Sequence, residues 1–147
     1  MIGLSVAQFG FVLLGLVLLG VVGAVLVVRA RLVAVTVVGE SMAPTLSPGD
    51  RVLVVKVPLR WIRRRQLVVF APPAELADDD PPWLIKRAVA LPGDVVPAEV
   101  PHLAGARVPA DRFVVLGDNS ARSYDSRRVG YLHADTLLGV VVRRLQA

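Results

Sequence analysis

The sequence contains no cysteine. A disulfide framework, a zinc–thiolate site and a cysteine nucleophile are therefore excluded. Histidine occurs only at 102 and 133. Neither stands at metal-ligand spacing from an Asp or Glu, so both are read as surface or loop residues and no metal site or cofactor is expected. The strand–Gly-x-Ser-x-Gly–helix context of a Ser-His-Asp hydrolase is also missing. Lysine is as scarce as histidine: Lys56 and Lys86 stand against 15 arginines. Charge of either sign is absent from residues 1–28, so all 17 basic and 12 acidic side chains fall in residues 29–147. After residue 32 no apolar run is long enough to cross a bilayer, which excludes a multi-span transporter. There is no internal repeat. What is abundant is apolar residues, 54% of the chain, with a mean hydropathy of +0.61. That rules out an intrinsically disordered chain. A length of 147 residues leaves room for one ordinary domain and little more.

The uncharged stretch from Ile2 to Val28 is long enough to span. Its 27 residues, at about 1.5 Å each, reach about 40 Å, against a bilayer core of about 30 Å. Gly10, Gly15, Gly20 and Gly23 would weaken a soluble helix but are common in membrane helices. Three of them recur every five residues, so they form no GxxxG face. A cleaved signal peptide would have a shorter apolar region, basic residues before it and a small-x-small site. Residues 1–31 are therefore expected to form an uncleaved anchor helix with its flank. Arg29 and Arg31 follow that helix, and the positive-inside tendency taken alone would keep the rest of the chain in the cytoplasm.

From residue 32 to 147 the pattern changes to short β-branched runs broken by proline and glycine. Strands are expected near Val33–Val38, Arg51–Val57, Gln66–Ala71, Trp83–Ala90, Phe113–Leu116 and Leu138–Arg143. The run from Arg51 to Val57 does not alternate cleanly, which suits a mostly buried strand. Eleven prolines punctuate the chain and argue against long helices. The segment PPAELADDDPP (72–82) reads as a solvated, Pro-bounded loop; Asp78, Asp79 and Asp80 lack cation-ligand spacing. The expected fold class is all-β: one compact domain, preceded by one transmembrane helix.

Three segments carry candidate chemistry. In Val37-Val-Gly-Glu-Ser-Met-Ala-Pro-Thr-Leu-Ser-Pro-Gly-Asp50, a strand runs into Gly39 and then Ser41. Gly39 is read as allowing close backbone approach beside that serine. Taken alone, such a serine is ordinarily a turn residue. In Leu84-Ile-Lys-Arg-Ala-Val-Ala-Leu-Pro-Gly-Asp94, Lys86 sits inside an apolar strand. Burial can bring a lysine's pKa towards neutrality and make it a general base, whereas an arginine stays protonated. A buried Ser-Lys pair can thus activate a hydroxyl without histidine. Lys56 is a rival, and an edge-strand lysine snorkelling to water is the plainer reading of either. In Val115-Leu-Gly-Asp-Asn-Ser-Ala-Arg-Ser-Tyr-Asp-Ser-Arg-Arg-Val-Gly130, Gly-Asp-Asn signals a turn. Beyond it, Asp125 and Arg127 are spaced to point the same way on an extended segment and brace a site.

Taken together, Glu40-Ser-Met-Ala-Pro-Thr-Leu46, Lys86-Arg with Gly93-Asp94, and Gly117-Asp-Asn followed by Ser123-x-Asp-Ser-Arg127 resemble signature boxes of the type I signal peptidase family, in the family's order. Gln66-Leu-Val-Val-Phe70 resembles a fourth, weaker box. The match covers about residues 33–143, with an anchor helix before it. The resemblance implies a compact signal-peptidase-like β-domain and a serine endopeptidase at the membrane–water boundary. It implies Ser41 as nucleophile, Lys86 as general base, Ser123 orienting the lysine, and Asp125 with Arg127 as a supporting ion pair. The Ser41 N–H would help form the oxyanion hole. Some members have a hydroxyl two residues before the nucleophile, where this chain has Gly39. A lysine in place of histidine resembles the bacterial and organellar branch. Short intervals between boxes, 45 positions from Ser41 to Lys86 and 23 from Asp94 to Gly117, imply a minimal catalytic core. The implied substrates are preprotein signal peptides with small residues at −1 and −3. The implied location is the cell membrane, single-pass, with the catalytic domain extracytoplasmic, since long domains translocate largely regardless of flanking charge. Met42, Phe70 and Trp83 would then be candidates for resting on the lipid interface.

Two other functions compete. A LexA-like self-cleaving regulator also pairs Ser-Met with a downstream lysine, and the pI of about 10.7 would suit DNA. Residues 1–28 form no helix-turn-helix, however, and no nucleic-acid partner is expected. An inactive, membrane-tethered interaction module of the same fold is the other alternative. Activity lost on Ser41→Ala would exclude it.

Overall fold

The structure is a computed structural model that describes residues 6–72 and 83–145. The acidic segment 73–82, read above as a solvated loop, lies outside the described residues. The chain divides into two compact units, Met1–Leu32 and Val33–Ala147. The first holds helix α1 (Val6–Arg31), which carries no acid and ends in Arg29 and Arg31. Residues Gln8–Arg31 of this helix are apolar and long enough to cross a membrane, and none of that window is buried against protein. Leucine and valine side chains surround the helix, from Phe9 to Val28, so it has no polar face to turn towards water.

The second unit is a curled antiparallel sheet. Its strands are β1 (Leu32–Thr36), β2 (Arg51–Val55), β3 (Leu67–Phe70), β4 (Leu84–Ala90), β5 (Arg112–Leu116), β6 (Leu132–His133) and β7 (Leu137–Leu145). They lie in the order β1-β2-β7-β3-β4-β5-β6. A single helical turn, α2 (Ser126–Val129), follows β5. The architecture is thus the all-β domain with one apolar N-terminal helix that the residue pattern implied. The six expected strands are present within two residues at each end. The additional β6 is only two residues long and has no periodicity to read.

The β-branched strands are buried on both faces of the sheet. In β3, Val68 and Phe70 enter one apolar cluster, with Ala88, Phe113, Val115 and Val140, while Val69 enters another, with Met42, Val52, Val54 and Ile85. Phe70 meets Phe113 edge to face, with centroids 6.0 Å apart, worth about 1 kcal/mol beyond the area buried. A third cluster, around Val96, Val100 and Val108, sits under the loop between β4 and β5. Two sequence readings change here. The β2 strand does alternate: Val52 and Val54 are fully buried while Arg51 faces solvent and Leu53 and Val55 are half-buried. The all-apolar run hid this, because valine on the outer face reads the same as valine on the inner one. Met42 and Phe70 are core residues at 1% exposure, not lipid-facing ones, and Trp83 is half-buried against the Met42 cluster.

Between β2 and β3 the chain makes a short 3-10 turn at Leu59–Trp61 and then a reversal in which Arg65 takes φ +72°. A β-carbon crowds its own backbone there, at about 1 kcal/mol. The reversal is fixed by paired hydrogen bonds to β4: Arg65 N–H donates to Ala88 O at 2.7 Å, and Ala88 N–H donates to Gln66 O at 2.9 Å.

Candidate active site

Three segments that lie far apart in the sequence meet: the turn after β1, the middle of β4 and the turn after β5. Val37 spends its N–H and C=O on Asp50 and Gly49, at 2.8 and 2.9 Å, which ties the end of β1 to the start of β2. Gly39 then takes φ +79°, with nothing within 4 Å of where a β-carbon would be. Its role is therefore the left-handed bend, not the close backbone approach expected from the sequence. That bend presents Ser41, half-buried, while Met42 beside it is locked in the core.

Lys86 lies in the centre of β4. Val68 faces it across the β3–β4 pairing, and Gly117 follows Leu116, the partner of Arg87, on the β5 side. The lysine is 3% exposed. Its Nζ donates to Ser41 Oγ at 2.5 Å. Burial pushes the Lys86 pKa from 10.5 down to about 8; the Asp125 charge opposes that shift and the Arg127 charge adds to it. About a tenth of the lysine is therefore neutral at pH 7, and a neutral amine can accept the hydroxyl proton across the same contact. Lys56, the rival, is exposed just past the end of β2. Both histidines are exposed, with His133 against the Arg112 guanidinium.

Asp125 supports this pair from below. Its fully buried carboxylate accepts from Gly117 N–H at 2.8 Å, from Ser123 Oγ at 2.6 Å, and from Arg127 through both the backbone at 3.1 Å and the guanidinium at 2.5 and 2.9 Å. Burial alone would raise this carboxyl, but the bonds from Arg127, Gly117 and Ser123 outweigh it and hold it below the ordinary carboxylate range. Asp125 and Arg127 are paired, but not along the extended segment that the spacing argument assumed: Asp125 caps the N-terminus of α2 and Arg127 lies within that helical turn. The Ser123 hydroxyl is committed to Asp125; among the described residues, the only hydrogen bond of Lys86 Nζ goes to Ser41.

Further site residues were not singled out from the sequence. Asn119 N–H donates to Ser41 O at 2.9 Å and its side-chain amide donates to Glu40 O at 3.1 Å. Asp118 takes a two-pronged bond from Arg87, at 2.6 and 2.8 Å, and the Thr45 hydroxyl at 2.5 Å. Arg87 holds the Asp118 carboxyl low, mainly through these bonds. Each partner comes from a different segment, so the three are laced together around Ser41 and Lys86. Gly117 is a close-approach glycine: a β-carbon there would lie 2.5 Å from Ser123 Cβ and 2.7 Å from Ser41 O. The available signal was the Gly-Asp-Asn run, legible as a turn but not as a turn that folds against residue 41.

Two openings complete the site. The Ser41 N–H makes no hydrogen bond among the described residues. A small cavity of about 20 Å³ opens beside Ser41 and Lys86, lined by Val37, Met42, Trp83 and Ile85 among others. Space of that size holds about one water-sized group. Among the described residues, no three His, Asp or Glu side chains are placed to hold a metal ion.

Comparison with known proteins gives a consistent result. The family described as "Signal peptidase, peptidase S26" matches residues 10–103 and 95–145. The "Signal peptidase I" of Leptolyngbya laminosa is 35% identical over 130 residues, covering 71% of this chain and 64% of that protein. The "Probable signal peptidase I-2" of Synechocystis is 33% identical over 123 residues, covering 68% and 56%. The "Signal peptidase I V" of Bacillus subtilis is 28% identical over 163 residues, covering 84% and 94%. The chain thus spans under two thirds of the length of the two cyanobacterial relatives.

Proposed function

The chain belongs to the signal peptidase, peptidase S26 family, and on that premise we propose that it is a membrane-anchored serine endopeptidase that removes signal peptides from exported preproteins. The observation that carries this reading is the Lys86–Ser41 contact inside an apolar site. Neutral Lys86 takes the Ser41 proton as Oγ attacks the scissile carbonyl. The protonated lysine then gives a proton to the departing amine; neutral again, it takes a proton from the water that attacks the acyl group and returns it to Ser41 Oγ as the ester bond breaks. The Ser41 N–H is an oxyanion donor; Gly39 offers no side chain as a second one. Val37 directs its backbone groups at Asp50 and Gly49, so the alternating Val38 faces the other way. An extended substrate can add to that edge.

The small cavity argues for a small residue at −1. A methyl group fits it, whereas a leucine side chain requires Val37, Met42 or Ile85 to move out of the packed core. A preprotein with alanine at −1 should be cleaved at least about a hundredfold faster, in kcat/KM, than the same preprotein with leucine there. Equal rates would place the scissile residue elsewhere.

In this reading α1 spans the bilayer and residues 33–147 lie outside the cytoplasm, where signal peptides emerge. Protease applied to intact spheroplasts should digest that unit. Digestion only after lysis would restore the positive-inside reading of Arg29 and Arg31 and leave the enzyme without its substrate.

A further inference from the structure

Next to the strand that carries Lys86, the turn between β2 and β3 carries a concentration of charge of one sign. Residues 51–72 include Arg51, Lys56, Arg60, Arg63, Arg64 and Arg65 and no acidic residue. Leu59 and Ile62 are buried and pin the turn to the core. Arg60, Trp61, Arg63, Arg64 and Arg65 all face solvent, and Trp61 is 64% exposed. Of the arginines elsewhere in residues 33–147, those at 87, 112, 122, 127 and 144 each have a carboxylate within 3.1 Å, while Arg51, Arg107, Arg128 and Arg143 have no such partner among the described residues and none of them stands in a run as dense as this turn's. In this turn Arg64 reaches only to 3.7 Å from Asp94, and Arg60, Arg63 and Arg65 have no acidic partner among the described residues. Arg65 also holds its left-handed backbone at an energetic cost. An exposed indole among unneutralised guanidinium groups matches one chemical surface: phosphate groups at the level where acyl chains begin. There tryptophan has an apolar body to bury and a polar edge to keep wet, and arginine forks onto phosphate.

We propose that the Arg60–Arg65 turn docks on acidic phospholipid headgroups, with Trp61 seated among them. The inference rests on the reading of α1 as a membrane span, which keeps lipid within reach of the same chain. Its consequence concerns catalysis. The turn is bonded directly to β4 through Arg65 and Gln66, and Arg87 donates to Arg65 O at 2.7 Å. Docking would therefore hold the strand that carries Lys86 at the headgroup layer, where a signal peptide leaves the bilayer.

The test uses the full chain, with Trp83→Phe so that Trp61 alone emits, reconstituted into vesicles of phosphatidylcholine with or without phosphatidylglycerol. With phosphatidylglycerol present, Trp61 emission should shift to the blue and be quenched by brominated acyl chains. Salt at about 1 M, where screening acts within about 3 Å, should reverse both effects. The combined variant Arg60→Gln, Arg63→Gln, Arg65→Gly should move the docking equilibrium roughly a hundredfold towards the free turn. Glycine at 65 fits the positive φ, so an unchanged thermal midpoint shows that the loss is not unfolding. Trp61 emission that is the same in both vesicles, or indifferent to salt, overturns the docking while leaving the anchor intact. Release of the chain by alkaline extraction overturns the anchor reading and the docking with it.

Discussion

Replacing Lys86 by arginine should abolish turnover as completely as replacing it by alanine, a fall of about a thousandfold or more. The guanidinium keeps the charge and much of the length, but it cannot give up its proton at any working pH, so it cannot accept one from Ser41. Lys56→Arg should be mild, because Lys56 is exposed and outside the site. A further consequence separates chemistry from folding. A lysine whose pKa falls from 10.5 to about 8 on burial is less comfortable charged in the fold than in the unfolded chain. Between those values the unfolded chain binds more protons, so stability rises with pH. The penalty is fully present below about pH 8 and is lost as pH approaches 10.5. Lys86→Met should therefore be inactive yet more stable near neutrality by up to ~3 kcal/mol, the gain shrinking above pH 8. Unfolding curves beside the activity assay check this. An active Lys86→Arg enzyme would end the general-base assignment.

Gly117→Ala should be the most damaging single-methyl change at the active site. The added carbon would collide with the Ser123 side chain and with the Ser41 carbonyl oxygen, the latter at 2.7 Å and part of the backbone. The turn must then lift, loosening the Gly117 bond to Asp125 and the Asn119 bond to Ser41. A displacement near 1 Å at a reacting group costs about a hundredfold in rate, and overpacking of this kind costs about 1–3 kcal/mol of stability. Gly39→Ala is the control. Its φ of +79° is strained for alanine, but the space is open, so it should lose about 1 kcal/mol of stability without a collision. If kcat/KM for Gly117→Ala stayed within a few-fold of wild type, the lacing of the β5 turn onto the nucleophile would be irrelevant to catalysis.

How far the sequence predicts this site depends on the range of the interactions. Ser41 and Lys86 each break a local pattern, a serine after a glycine bend and a rare lysine in an apolar strand, but that pattern alone favoured a turn serine and a snorkelling lysine; the ordered boxes that resemble a family are what singled them out. Asp125 and Arg127 were legible as a close pair, but for the wrong reason: the pairing comes from a helix cap, not from the alternation of an extended segment. The strands were legible because β-branched runs end at prolines and glycines. The bond from Asn119 to Ser41, and Arg87 and Thr45 meeting on Asp118, were not. They join residues 31 to 78 positions apart, and local periodicity is silent about which turn folds over which strand. The strand order was hidden for the same reason, since β7 inserts between β2 and β3. Gly39 was given the wrong reason because a glycine letter does not say whether a bend or a close contact demands it. Gly117 held the close contact instead.

The claim that a buried lysine supplies the base is tested most directly by the pH dependence of kcat/KM for preprotein cleavage, measured on the wild type and on a variant with both His102 and His133 replaced by glutamine. The account predicts a rate that climbs through about pH 8, the lysine value, by roughly tenfold between pH 7 and 9, with the two profiles superimposed. A profile that is already flat above pH 7, or one that collapses when the histidines are removed, would contradict it.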